Sequence, residues 1–181
     1  KEGFKKGIVF GGFNDGKLVV TATLIRLDWD SEHFGFECYM VSNCFINQEF
    51  SEKETLEQVK HLFAELVMAA KNKKAKFIYT SISSWNTPMA HGLQGNNFRY
   101  ILTWLDGVSS STDILQYSYS AKEGHTIGLA TEMEVAIYSK MAAENYFTGG
   151  RFFLDPHFDS VSVRDMYAKL VRSSFEKGDI M

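Results

Sequence analysis

Asp155, His157 and Asp159 alternate within five residues, a spacing that offers two carboxylates and an imidazole as metal ligands or as an acid–base set. Asp30, Glu32 and His33 form a second acidic and histidine grouping. Both are local. Zinc and iron sites gather ligands from distant segments, and Pro156 interrupts strand alternation, so these residues are expected to cap helices or bond backbone in loops, with no metal bound. Gly11 to Lys17 formally satisfies G-x-x-x-x-G-K, the start of a loop whose backbone N–H groups and lysine wrap phosphates. Leu18 stands where the magnesium-binding hydroxyl should be, and a β-branched run follows where a helix should begin, so a hairpin turn is expected instead. Cys38 or Cys44 with His33, His61, His91, His125 or His157 would be needed for a Cys–His nucleophile. No local signature selects a pair. Both cysteines are expected to be reduced, buried thiols, and no G-x-S-x-G elbow supports a hydrolase.

The elements that must hold these residues follow from periodicity. Lys17 to Arg26 is β-branched, and the preceding Asn14-Asp15-Gly16 tolerates positive φ, which predicts an opening β-hairpin. After an aromatic turn around Trp29 and Phe34 comes a second strand region, Cys38 to Ile46. Leu56, Val59, Phe63, Leu66, Val67 and Ala70 recur at helical spacing within Ser51 to Lys74, with Ser51 and Glu54 spaced as a capping box. Phe77 to Ile82 reads as a strand, Asn86 to Leu93 as a loop or short helix, and Phe98 to Leu105 as a half-buried strand. Asp106 to Asp113 is the linker candidate, Ile114 to Tyr119 one more strand, and Thr126 to Ala130 a short strand. A helix through Met133, Ile137 and Met141 follows, then a last helix from Ser160 to Phe175 with Ser160 or Ser162 as cap. The fold class read from this order is α/β of the α+β kind, with a mixed, largely antiparallel sheet and packed helices. The domain reading is 1–121 for a front domain and 122–181 for the start of a second.

With 181 residues, 45% of them apolar, the chain is long enough to bury a real core. A formal charge of -3 gives neither nucleic acid nor an anionic membrane a reason to bind. Leu66 to Ala70 is too short to span a bilayer, and no secretory leader is recognisable. The expectations are a cytoplasmic location, no nucleic acid, no membrane, and a small-molecule or protein partner, with a homodimer left open.

Leu27-Asp28-Trp29-Asp30-Ser31-Glu32-His33-Phe34-Gly35-Phe36 is the most distinctive stretch. It resembles the L-x-W-[DE]-[ST]-x-F-F-G segment of dTDP-fucosamine acetyltransferase and related members of the GNAT superfamily of N-acetyltransferases, with His33 at the first aromatic place. Gly150-Arg151-Phe152-Phe153-Leu154-Asp155-Pro156-His157-Phe158 is similar to the S-R-F-H-x-D-P-x-F loop that joins the first two helices of those enzymes. Trp85 to Pro88 through Asn97-Phe98-Arg99 is a weaker echo of the N-x-x-A … G-F tail of GNAT domains, hinting that the front domain is itself a GNAT-like half fold. In this comparison Thr126 to Ala130 is the opening strand of the GNAT core, Met133 to Tyr146 its first helix and Ser160 to Phe175 its second.

The resemblance implies that the complete protein transfers acetyl from acetyl-CoA to a small-molecule amine acceptor, an amino sugar nucleotide being the example it suggests. In that family pantetheine and pyrophosphate rest on a splayed strand and on the R/Q-x-x-G-x-G/A N-terminus of a helix. This sequence lacks that motif, so no cofactor is expected on this portion, no catalytic residue is carried over, and the natural protein is expected to continue beyond Met181. Arg151, Asp155 and His157 are the candidate acceptor-binding residues, Arg151 through a bidentate fork to phosphate or carboxylate. The alternative for Arg151 is a salt bridge to Asp155 or Asp159. Trp29 and Phe34 could stack on a sugar or base, with anchoring of their turn in the core as the other role. A non-catalytic binding or interaction module with a degenerate GNAT-like fold is the competing reading of the whole chain.

Overall fold

A computed structural model describes residues 7–103, 128, 130–144 and 149–178. The chain divides into two compact units, Lys1–Tyr100 and Ile101–Met181. The domain boundary read at 121/122, the linker at 106–113 and the strand at 114–119 lie outside the described residues, as does most of the strand at 126–130.

In the first unit the strands β1 (Ile8–Asn14), β2 (Lys17–Arg26), β3 (Glu37–Ile46) and β4 (Ala75–Thr80) form one sheet in the order β1-β2-β3-β4. The β1–β2 and β2–β3 pairs are antiparallel and β3–β4 is parallel, the mixed, largely antiparallel arrangement expected. The β1–β2 turn needs two residues in the left-handed region, which Asp15 (φ 47°) and Gly16 (φ 75°) supply. A strand therefore follows Lys17, and the phosphate-loop geometry is absent.

Helix α2 (Glu52–Asn72) crosses between β3 and β4. Ser51 caps it: its Oγ accepts the Glu54 N–H, and the Glu54 carboxylate accepts the Ser51 N–H at 3.0 Å. Val59, Leu62, Phe63, Leu66 and Ala70 lock onto Val20, Ala22 and Leu24 of β2, Tyr39 and Val41 of β3, and Met89 and Leu93 of α3 (Thr87–Gly95). Alternate strand residues thus meet a 3.6-residue helix stripe. The stripe lies slightly off the one read from sequence, because Leu62 is buried while Leu56 and Val67 are only half-buried.

Two readings are corrected. Phe98–Thr103 is not a strand, and Trp104 and Leu105 lie outside the described residues. The chain here finishes α3 instead: the Phe98 N–H donates to the Leu93 carbonyl at 3.1 Å and its ring sits edge-on to Phe63 at 5.7 Å. Tyr100, on the supposed buried face, is 78% exposed. The aromatic turn is a two-turn helix, α1 (Asp28–Phe34), closed by Gly35 at φ 69°. Its inward residues are Leu27 and Ser31, whose Oγ accepts the Cys38 N–H at 2.9 Å, rather than Trp29 and Phe34.

In the second unit α4 (Glu132–Ala143) packs on α6 (Ser160–Glu176). Val135, Ser139 and Ala142 face inward from α4, and Val163 and Met166 from α6. Met133, Ile137 and Met141, the periodic residues that signalled the helix, lie on its exposed side. A one-turn helix, α5 (Arg151–Leu154), interrupts what the sequence suggested was a plain loop. The cap of α6 is Asp159, not Ser160 or Ser162, because its carboxylate accepts the Ser162 N–H at 2.8 Å and the Ser162 hydroxyl at 2.9 Å.

Candidate functional site

The sequence-predicted residues fall into two groups, Trp29 and Phe34 in the first unit and Arg151, Asp155 and His157 in the second. On α1 the four-residue spacing lays Trp29 flat against His33, with centroids 5.5 Å apart and 9° between planes. His33 in turn meets Phe34 edge-on at 4.9 Å, and Phe34 stacks on Phe36 at 5.8 Å. One face of the Trp29 indole is therefore occupied by imidazole. The helix is fastened to the sheet by Arg26, which donates to Asp28 at 2.6 Å and bidentately to Glu37 at 2.7 and 2.9 Å. These bonds hold the Glu37 carboxyl below its ordinary range. A shallow open depression of about 420 Å³ lies at the amino ends of β3 and β4, lined by Ser31, Gly35, Phe36, Glu37, Lys74 and Lys76. None of the predicted ligand-binding residues lines it.

At the other end of the same strands the β3–β4 ladder stops at Val41 and Thr80, while β3 runs on to Ile46. The two parallel strands end at unequal heights, each followed by a helix. Whether acetyl-CoA fits there depends on donors at the head of α2, where a pyrophosphate would need free backbone N–H groups. The Asn47–Ser51 link contains no glycine, and Ser51 already takes the Glu54 N–H. Glu49, Glu52 and Glu54 add negative charge, and the Ser51 bonds keep Glu54 ionised by lowering its pKa. The head of α2 does not fit the cofactor. Among the described residues, Thr131 with Glu134 closes α4 by the same capping box, and Asn86 and Asp159 cap α3 and α6 with one side chain each.

The cysteines are unsuited to nucleophilic work. Burial pushes the Cys38 thiol up to about 12, and burial also raises Cys44, which is half-buried rather than buried.

The second unit brings its predicted residues together. Arg151 lies over the Phe152 ring at 4.5 Å, Phe152 meets Phe158 edge-on at 5.0 Å, and Phe153 stacks on Tyr167 of α6 at 5.5 Å. Asp155 accepts the His157 N–H at 3.0 Å and lies 2.7 Å from its Nδ1. Its carboxylate is thus engaged by histidine, and that of Asp159 by the α6 cap. The 155–157–159 alternation is not a three-ligand set, since one member has become a helix cap.

No family model matches the chain, and no curated protein matches it. Among solved structures it is similar to a probable acetyltransferase, at 13% identity over 59% of this chain and 71% of that one, with a TM-score of 0.43. It is also similar to ribosomal-protein-alanine N-acetyltransferase from Brucella melitensis biovar Abortus 2308, at 14% identity over 56% and 69%, with a TM-score of 0.40. Among the described residues no helix is long and apolar enough to cross a membrane.

Proposed function

We propose that this chain is the acceptor-side portion of a GNAT-superfamily N-acetyltransferase of the dTDP-fucosamine acetyltransferase kind. In the complete protein, working in the cytoplasm, acetyl would pass from acetyl-CoA to the amine of a small acceptor such as an amino sugar nucleotide. The observation that carries this reading is the joint between α4 and α6. The positions shared with the family's helix-joining loop each have a distinct use there: Arg151 covers Phe152, Phe152 holds Phe158, and Asp155 fixes the turn through His157. A loop with only a spacing role would not need that set. Acetyl-CoA itself would be held by residues other than the head of α2.

One observation favours a non-catalytic binding module instead: among the described residues the four longer helices all close their N-termini with their own side chains, three of them with a carboxylate. Calorimetry of the complete natural protein with acetyl-CoA, followed by turnover with a panel of primary amines, separates the two. The transferase reading expects a measurable dissociation constant and an acetylated amine. Absence of both rejects it in favour of the module. For residues 1–181 alone no acetyl-CoA binding is expected, and a micromolar constant would contradict this placement of the cofactor.

A further inference from the structure

His157 stands in a geometry that does more than complete a turn. The Asp155 carboxylate meets both the backbone N–H of His157 and its Nδ1, at 3.0 and 2.7 Å. A carboxylate only accepts, so in the neutral ring Nδ1 must carry the proton and Nε2 the lone pair. The Asp155 side chain is 16% exposed and that of His157 75%, so the orienting group sits inside and the basic nitrogen outside. Asp155 is itself held: its N–H donates to the Arg151 carbonyl at 3.1 Å, its carbonyl accepts the Phe158 N–H at 3.2 Å, and Pro156 fixes the next φ. Charged groups on adjoining segments include Arg151, Asp159 engaged with Ser162, Arg164, and Asp165 paired with Lys169 at 2.7 Å, with Arg172 and Glu176 further along α6 and Glu132, Glu134, Lys140 and Glu144 on α4.

We propose that His157, positioned by Asp155, is the base that removes a proton from the acceptor's ammonium group; this rests on the acetyltransferase reading above. An alkylamine is protonated at neutral pH, with a pKa of about 10, and only its free lone pair can attack a thioester. In the step assigned to this pair, one ammonium N–H bond breaks and its electrons stay on nitrogen. An N–H bond forms at Nε2, and the imidazolium charge faces the Asp155 carboxylate until the proton passes to water. His157 is then a catalytic residue and Asp155 a positioning residue. An imidazole suits the task because its unprotonated Nε2 offers a lone pair to the proton.

The test uses the complete protein with acetyl-CoA and a primary amine that it acetylates. His157→Gln and His157→Asn should each lower kcat/KM about 100-fold, the lower end for loss of a general base, while acetyl-CoA affinity stays unchanged. The wild-type profile should rise to a plateau through an imidazole ionisation, and the variants should lose that plateau. Asp155→Asn should lower kcat more than KM. In wild type, ¹⁵N shifts of neutral His157 should show the proton on Nδ1. Variants within twofold of wild type, or a neutral ring protonated on Nε2, would overturn the dyad while leaving the transferase reading in place. A wild-type protein that acetylates no amine would sink that reading, and the dyad's role with it.

Discussion

In the first unit the side chains that pack together come from β2, β3, α2 and α3, segments up to about seventy residues apart, and backbone ladders fix their register. In the second unit the described residues make no sheet; two helices meet over a few small and aliphatic residues, and the segment between them is held by aromatic pairs. Burial in the first is layered and shared among many residues, whereas among the described residues of the second it is confined to Val135, Ser139, Ala142, Phe152, Val163 and Met166. In the first unit the Arg26 bonds to Asp28 and Glu37 fasten α1 to the sheet, while in the second Asp155 and His157 lie within hydrogen-bonding distance beside the aromatic pairs.

The contrast can be broken at its strongest points. Phe63→Ala removes a fully buried ring from the α2 layer and should cost about 3–5 kcal/mol, read from denaturant unfolding and from faster amide exchange in α2 and β2–β4. Phe152→Ala should cost about 3 kcal/mol, with its exchange signature in α5 and α6. Its distinguishing effect should be loss of the Asp155–His157 bond in NMR spectra, and retention of that bond would show that the rings do not set the joint. A smaller effect is expected at Gly92, where an added Cβ would collide with Val59 of α2. Gly92→Ala should destabilise the first unit by about 1–3 kcal/mol as α3 is forced away. A neutral result would mean that the α2–α3 contact is looser than described.

The smallest effect concerns pH. Glu37 is held below its ordinary pKa by Arg26, so its pairing contributes fully above the unfolded value of about 4.3 and is lost as pH falls through the lower folded value. Glu37→Gln should therefore flatten the acid side of the stability curve of the first unit and leave neutral pH less affected by salt. An unchanged acid limb would remove the Arg26 clamp from the account.

Much of the layered unit was legible because its signals are strong and local. Asn14-Asp15-Gly16 fixed the hairpin, and Ser51 with Glu54 fixed the head of α2. The Phe98 segment misled because alternation of aromatics suits a strand, yet Phe98 is drawn inward by Phe63 and the chain closes α3. Helix α1 hid behind its aromatics: seven residues are too few for periodicity, and the residues that matter for anchoring, Leu27 and Ser31, are the less conspicuous ones. In the second unit, the alternation of Asp155, His157 and Asp159 pointed to capping and backbone bonds without separating which residue makes which. The separation depends on Asp159 being the first residue able to reach the Ser162 N–H, a matter of where α6 begins.

Whether the complete protein acetylates an amine can be read by mass spectrometry after incubation with acetyl-CoA and amino sugar nucleotides. The expected product carries acetyl on the sugar amine, formed in proportion to enzyme and dependent on acetyl-CoA. No acetylated product with any amine, under conditions where the protein is folded, would contradict the transferase reading.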